Sequence, residues 1–154
     1  MRRHTAGYDV LFFIAIFATV IALGGAQAHL FEMPRKLMLS GEDYFTVQQI
    51  YAGWDLFGVV LVIQFLSLAL LARRSFREYF VFRPVLAALL LMITAQAVFW
   101  LFTFPANAAT QNWTQMPANW EMLRRQWEYS HAVNAGLNFL AFCLLVAATA
   151  RPRR

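Results

Sequence analysis

The sequence predicts an all-α fold, an integral membrane bundle of four helices, on three observations. Apolar residues make up 60% of the 154 and charged residues only 14%, with a mean hydropathy of +0.51; a soluble domain would carry about a quarter charged residues. The apolar residues gather into four runs, about 9–30, 47–72, 84–104 and 121–150, each near the roughly 20 residues a helix needs to cross hydrocarbon. The cations then sort by side. Arg2, Arg3, Arg73, Arg74, Arg77, Arg83, Arg151, Arg153 and Arg154 share one side, and Arg35, Lys36, Arg124 and Arg125 share the other. By the positive-inside rule both termini are expected in the cytoplasm, in a multi-pass protein of a cell membrane, a bacterial inner membrane being the expected location. Residues 1–154 read as a single membrane domain without internal repeats.

The first span follows a basic head with Arg2, Arg3 and His4. Ala26-Gln27-Ala28 has the form of a signal-peptidase site, but the apolar run before it exceeds the roughly 7–15 residues of a signal-peptide core. An uncleaved helix, stopped near Pro34, is expected. A polar loop from Phe31 to Gln49 turns at Ser40-Gly41. In the second span Gln48, Tyr51, Asp55 and Gly58 fall on one face, and Trp54 reads as an interfacial anchor. The basic turn Arg73–Arg83 leads to Pro84, suited to a first helical position. Gln96, Trp100, Thr103 and Asn107 recur at three- and four-residue spacing before Pro105, which is expected to end or kink the helix. Ala106–Ala118 is a loop rich in Asn, Thr and Gln. The fourth helix opens with NWEMLRRQWEYSHAVNAGLN, where Arg124, Trp127, Glu128, His131, Asn134 and Asn138 share a face.

Composition also narrows function. The net charge of +5 comes from clustered arginines, so it reports topology and gives no reason to expect nucleic acid as a partner. The lone cysteine, Cys143, allows no intrachain disulfide, which excludes a CxxC-type membrane redox enzyme. The expected partners are the lipid bilayer and a hydrophobic small molecule; self-association into a homo-oligomer is left open.

Each span carries its polar stripe in the outward half, while Ile14–Ala18, Leu61–Leu71, Leu86–Ile93 and Leu140–Ala148 read as almost wholly apolar. Four such stripes should converge on one pocket, and a dry inner half argues against a through-pore. Glu128-x-x-His131 has the spacing of carboxylate metal sites in helix bundles, and His29 and Glu32 repeat the pair in reverse. With Asp55 these five side chains, His29, Glu32, Asp55, Glu128 and His131, are the candidate ligands for a single iron, copper, manganese or zinc ion. A metal-free acid/base pocket is the competing reading, and a salt bridge from Glu128 to Arg124 or Arg125 the structural one. Gly24-Gly25 and Gly58 are expected at close helix approaches. Trp100 and Trp127 are either interfacial belt or the walls of a pocket for a flat apolar ligand.

FEMPRKL, VQQIYAGW, VFWLFTFPANAATQNWTQMPANW and LRRQWEYSHA together resemble the DUF1772 group of small four-helix membrane proteins, which includes the fungal anthrone oxygenases. Pro34, Pro105 with Asn107, and Arg124, Trp127 and His131 carry the likeness. It implies a monooxygenase-type oxidoreductase acting on an electron-rich polycyclic phenol with oxygen and no well-defined organic cofactor. In that scheme His131, tuned by Glu128 or Asp55, is the general base. Arg124, Asn134 and Gln96 stabilise the oxyanion, and Gln96, Trp100, Asn107, Trp127 and Asn134 hold the substrate. The alternative is a non-enzymatic lipid- or small-molecule-binding subunit whose polar stripes only join the helices.

Overall fold

The computed structural model describes residues 6–150; the arginines at 2, 3, 151, 153 and 154 and the basic head lie outside them. The first helix, α1 (Ala6–Lys36), is about 46 Å long at 1.5 Å per residue, more than hydrocarbon requires. Its buried residues Leu11, Ala15, Ala18, Ala22 and His29 follow the helical repeat, whereas Val10, Phe13, Phe17 and Ile21 face outward. Small side chains on the inner stripe let neighbouring backbones approach. The helix does not stop at Pro34. Pro34 lies in the last turn, where few ladder bonds remain to be lost, and Leu37 N donates to Met33 O at 3.0 Å just beyond it.

The second span starts later than its apolar run suggests. Residues from Gly41 to Gln48 form a separate short helix, α2, N-capped by Ser40, whose hydroxyl accepts from Asp43 N at 3.2 Å. A 3-10 turn (Gln49–Tyr51) follows, then a sharp reversal at Ala52-Gly53. Gly53 has φ +86°, the left-handed second corner of a type II turn that favours glycine. Only then do a 3-10 turn (Trp54–Phe57) and α3 (Gly58–Ser75) form the spanning segment.

Helix α4 (Tyr79–Val98) begins ahead of Pro84, which sits inside it. It continues without a break through a π-helical segment, Phe99–Thr103, into α5 (Phe104–Ala109). Pro105 therefore neither ends the helix nor starts a loop. Its missing N–H leaves the Leu101 carbonyl without an α-helical partner, and the wider π turn, with Phe104 N donating to Phe99 O, accommodates the ring just before it. Helix α6 (Trp120–Thr149) completes the chain.

Four segments, Ala6–Lys36, Trp54–Ser75, Tyr79–Ala109 and Trp120–Thr149, are long and apolar enough to cross a membrane. They run alternately up and down: α1 packs between α3 and α6, and α4 packs between the same two. Two cores result. Leu68, Leu71, Ala88, Leu145 and Ala141 fill the half nearest the α3–α4 turn, and Tyr44, Phe45, Trp113, Leu123 and Trp127 fill the end beneath α2 and the α5–α6 loop. The first half is not wholly apolar. Gln64, fully buried, donates to Thr19 Oγ1 at 3.2 Å and to Asn138 Oδ1 at 3.4 Å, joining α1, α3 and α6 midway. Large apolar side chains such as Phe13, Phe17, Leu101 and Leu140 point outward, as a lipid-facing surface requires.

Truncating the fully buried Leu145 to alanine tests the first core. Lipid is about as apolar as the core, so most of the transfer term cancels and the packing term remains. The expected loss is about 1–2 kcal/mol, below the 2–5 kcal/mol of a water-soluble core, read from unfolding in mixed detergent micelles.

Candidate functional site

The site grows from two adjacent faces of α6. Successive residues point about 100° apart, so Arg124 and Glu128 turn toward the end of α1 and toward α2, while Trp127, His131, Asn134 and Asn138 turn into the bundle. Between the two cores lies a cavity of about 1160 Å³ lined from every spanning segment. His29 comes from α1, Asp55 and Trp54 from the start of the α3 span, Gln96 and Trp100 from the α4 span, and Asn107 from α5. The convergence expected from the polar stripes is what the packing produces.

At its centre the His29 and His131 rings lie 4.2 Å apart between centroids, inclined by 37°. Around His29 stand Tyr51 at 4.6 Å, Trp127 at 5.1 Å and Trp54 at 5.4 Å, and Trp127 lies 4.1 Å from His131. His29 and Trp127 are only 6% and 4% exposed. Five buried polar atoms of cavity-lining residues have no protein partner: His29 Nδ1, Gln48 Oε1, Trp127 Nε1, His131 Nε2 and Asn134 Oδ1. Buried polar groups are rarely left unsatisfied, and here five cluster around one cavity.

The charged residues expected at this centre are elsewhere. Glu128, fully buried, does not line the cavity. Its Oε1 is 3.1 Å from Lys36 Nζ and accepts from Tyr44 Oη at 2.9 Å. The ion pair to Arg124 or Arg125 is replaced by one to Lys36, a residue the sequence places in a loop because the helix is expected to stop at Pro34. Arg124 is also outside the cavity. It donates to the Leu39 carbonyl at 2.8 Å and stacks on Trp120 and Tyr44, closing the α1–α2 connection. Glu32 sits at the surface side, accepting from Tyr51 Oη, and Asp55 is exposed on the cavity rim. The five expected metal ligands thus divide: His29, Asp55 and His131 face the cavity, and Glu32 and Glu128 do not. Among the described residues no three His, Cys, Asp or Glu side chains gather closely enough to hold an ion.

The expected substrate-binding residues Gln96, Trp100, Asn107, Trp127 and Asn134 all line the cavity. Asn107 is already engaged, its Oδ1 accepting from Trp113 Nε1 at 2.9 Å. Of the glycines, Gly25 meets Phe57 closely, an added Cβ lying 3.1 Å from the ring, but Gly24 and Gly58 have open space beside them. Gly58 lines the cavity instead.

Two features were not read from the sequence. One is Lys36, 4% exposed, whose Nζ also donates to Tyr51 Oη at 3.1 Å and lies over the Trp127 and Tyr51 rings. Its signal was available: His29, Glu32 and Lys36 fall at i, i+3 and i+7 on one helical face if the helix continues. The other is the turn Gln111-Asn112-Trp113, three non-glycine residues in a row with φ between +48° and +64°. Such residues cost of order 1–3 kcal/mol each and persist only where surroundings over-determine them. Here Gln49 Nε2 donates to Trp113 O at 2.8 Å, and Thr110 Oγ1 accepts from Trp113 N. The strain holds the buried Trp113 under α2 and sets Gln111, Asn112 and Thr114 on the cavity rim.

Burial, then the neighbouring Glu128 charge, raises the Tyr44 phenol well above its usual value. Burial and the hydrogen bond to Glu32 raise Tyr51 likewise. Both therefore remain neutral donors. A raised phenol pKa contributes stability in full below the unfolded value of about 10, and that contribution fades as pH climbs from there toward the folded value.

Compared with protein-family models, with curated proteins and with solved structures, the chain matches none. The site has to be read from its own chemistry.

Two changes test the ion pair. Glu128→Gln removes the shorter of two carboxylate contacts to the buried Lys36 ammonium, leaving Glu32 at 3.7 Å, and an expected cost of about 3 kcal/mol follows. Adding Lys36→Met should restore much of that loss, so the double variant is more stable than the sum of the singles predicts. Additive losses would show that Lys36 and Glu128 do not interact.

Proposed function

We propose that this protein is a membrane-embedded oxidoreductase of the anthrone oxygenase-like kind, acting on a flat, apolar phenolic ring that enters the cavity from the bilayer. The observation that carries the reading is the imidazole pair, His29 and His131, each with a ring nitrogen free of protein partners on the wall of an aromatic cavity. His131 takes a proton from the ring's phenolic or acidic C–H position, within the roughly 10²–10⁴-fold that general-base catalysis supplies. Oxygen adds to the resulting carbanion, the hydroperoxide loses water, and a ring C–H₂ becomes C=O. One O₂ is consumed and one water released. Trp54, Trp100 and Trp127 flank the ring, and Gln96, Asn134 and His29 meet its oxygens. Arg124 and Glu128 take no part in this scheme, since both are engaged away from the cavity.

A binding module without turnover is the second reading. It is favoured by the Lys36–Glu128–Tyr44 cluster, in which the charged residues satisfy one another and hold helices together. His131→Gln separates the two. It keeps size and hydrogen bonding but removes basicity. The enzyme reading expects a folded protein whose oxygen consumption with phenolic substrates falls about 10²–10⁴-fold. Unchanged turnover in that variant would refute it, and binding with no turnover in either protein would establish the module.

We also infer that the α3–α4 turn and both termini face the cytoplasm. Arg73, Arg74, Arg77 and Arg83 cluster at that turn, whereas two of the four cations at the opposite end, Lys36 and Arg124, are buried. In a Cys143→Ala background, Gln115→Cys should react with a membrane-impermeant maleimide from outside, and Phe76→Cys only after permeabilisation; both positions are exposed. The reverse pattern would invert the topology.

A further inference from the structure

The cavity is too long for a ring alone. Most of its polar side chains lie at the end near His29 and His131, Asn138 beside Gln64 being the exception, while a second arm runs down the bundle along Leu61, Val62, Phe65 and Leu66 of α3 and Met92 and Ala95 of α4. From Asp55 to Leu66 the lining covers about 17 Å at 1.5 Å per residue. Val62, Phe65 and Leu66 are 57%, 41% and 59% exposed, so the arm opens sideways onto lipid.

We propose that the ligand is a chain-bearing phenol and the quinone it becomes when a ring C–H₂ of its keto form is oxidised to C=O: a flat ring with hydroxyl or carbonyl oxygens at the imidazole end and one isoprenoid-type chain in the arm. This deepens the function proposed above and rests on its ring pocket. The side chains of Gln96, Asn134, His29 and His131, all lining that end, are suited to ring oxygens. Trp54 and Trp100, both lining the cavity and 41% and 59% exposed, supply faces on which a planar ring stacks. A fatty acid or phospholipid fits poorly, because an anionic head needs a cation. The carboxylate on the rim is Asp55, and Lys36 is committed to Glu128 and does not line the cavity. A ring without a chain would leave the arm to lipid.

The test uses the full chain in phosphatidylcholine nanodiscs and two probes, a benzoquinone with a decyl chain ending in a diazirine and the same ring with a methyl group. Quenching of tryptophan fluorescence reports the ring, and photolabelling mapped by mass spectrometry reports the chain end. Both probes should quench saturably, and the label should fall on Leu61–Leu66 and Met92. Ala95→Phe, or Val62→Trp at the exposed rim should the first variant misfold, obstructs the arm. Either should weaken that labelling at least about tenfold, equivalent to about 1.4 kcal/mol, while quenching by the methyl probe persists. Saturable quenching with label spread over lipid-facing positions such as Phe13 and Phe17, insensitive to the arm variants, overturns the chain and leaves the ring pocket standing. Absence of saturable quenching by either probe overturns both.

Discussion

Much of the cavity end of this bundle depends on one buried ion pair. Lys36 and Glu128 meet at 3.1 Å with 5% and 0% of their side chains exposed. Removing two charges from water costs several kcal/mol per ion, and attraction offsets that only if further hydrogen bonds complete the site. Here they do. Tyr44 Oη donates to Glu128, Gln48 donates to Tyr44, and Lys36 donates to Tyr51, which in turn donates to Glu32. The chain of contacts draws α1, α2, the 3-10 turn after it and α6 to one point. Breaking it would release α2, the lid over Trp113 and Trp127.

The same pair sorts the polar residues of α6. With Glu128 committed to α1 and Arg124 to the Leu39 carbonyl, the charged face of the helix is spent on structure. What remains directed into the cavity is uncharged: an indole, an imidazole and two amides. The α6 side of the cavity is thus aromatic and hydrogen-bonding without a formal charge. The carboxylate that remains at the cavity is Asp55 on the rim, contributed by the start of the α3 span and not by α6.

Strain and helix irregularity are concentrated around that wall. The π turn at Phe99–Thr103 lies where α4 lines the cavity, and Gln126 Nε2 reaches the Phe102 carbonyl from α6. The left-handed turn at Gln111–Trp113 lies on the rim. Both features recur at functional sites, because an altered helical register or a fixed left-handed turn aims side chains that regular structure would point elsewhere. Trp113 shows the effect. Its backbone conformation is unfavourable, yet its ring is buried against Tyr44, Phe45 and Trp127.

The sequence by itself determined the four spans, because apolar run length against hydrocarbon thickness is a property of each segment alone. It also determined which faces are polar, since helical period turns spacing directly into direction; His29, Asp55, Gln96, Trp100, Asn107, His131 and Asn134 reached one cavity for that reason. Partnership was different. That Glu128 pairs with Lys36 and not with Arg124 or Arg125 depends on α1 continuing past Pro34 and lying beside α6, a fact no local pattern contains. That α2 is a separate lid rather than the head of a span depends on Gly53, whose left-handed corner outweighs the apolar run around it. Tertiary packing alone decided which polar residues were consumed in holding helices together and which were left facing the cavity, because a buried group's role is fixed by what stands opposite it.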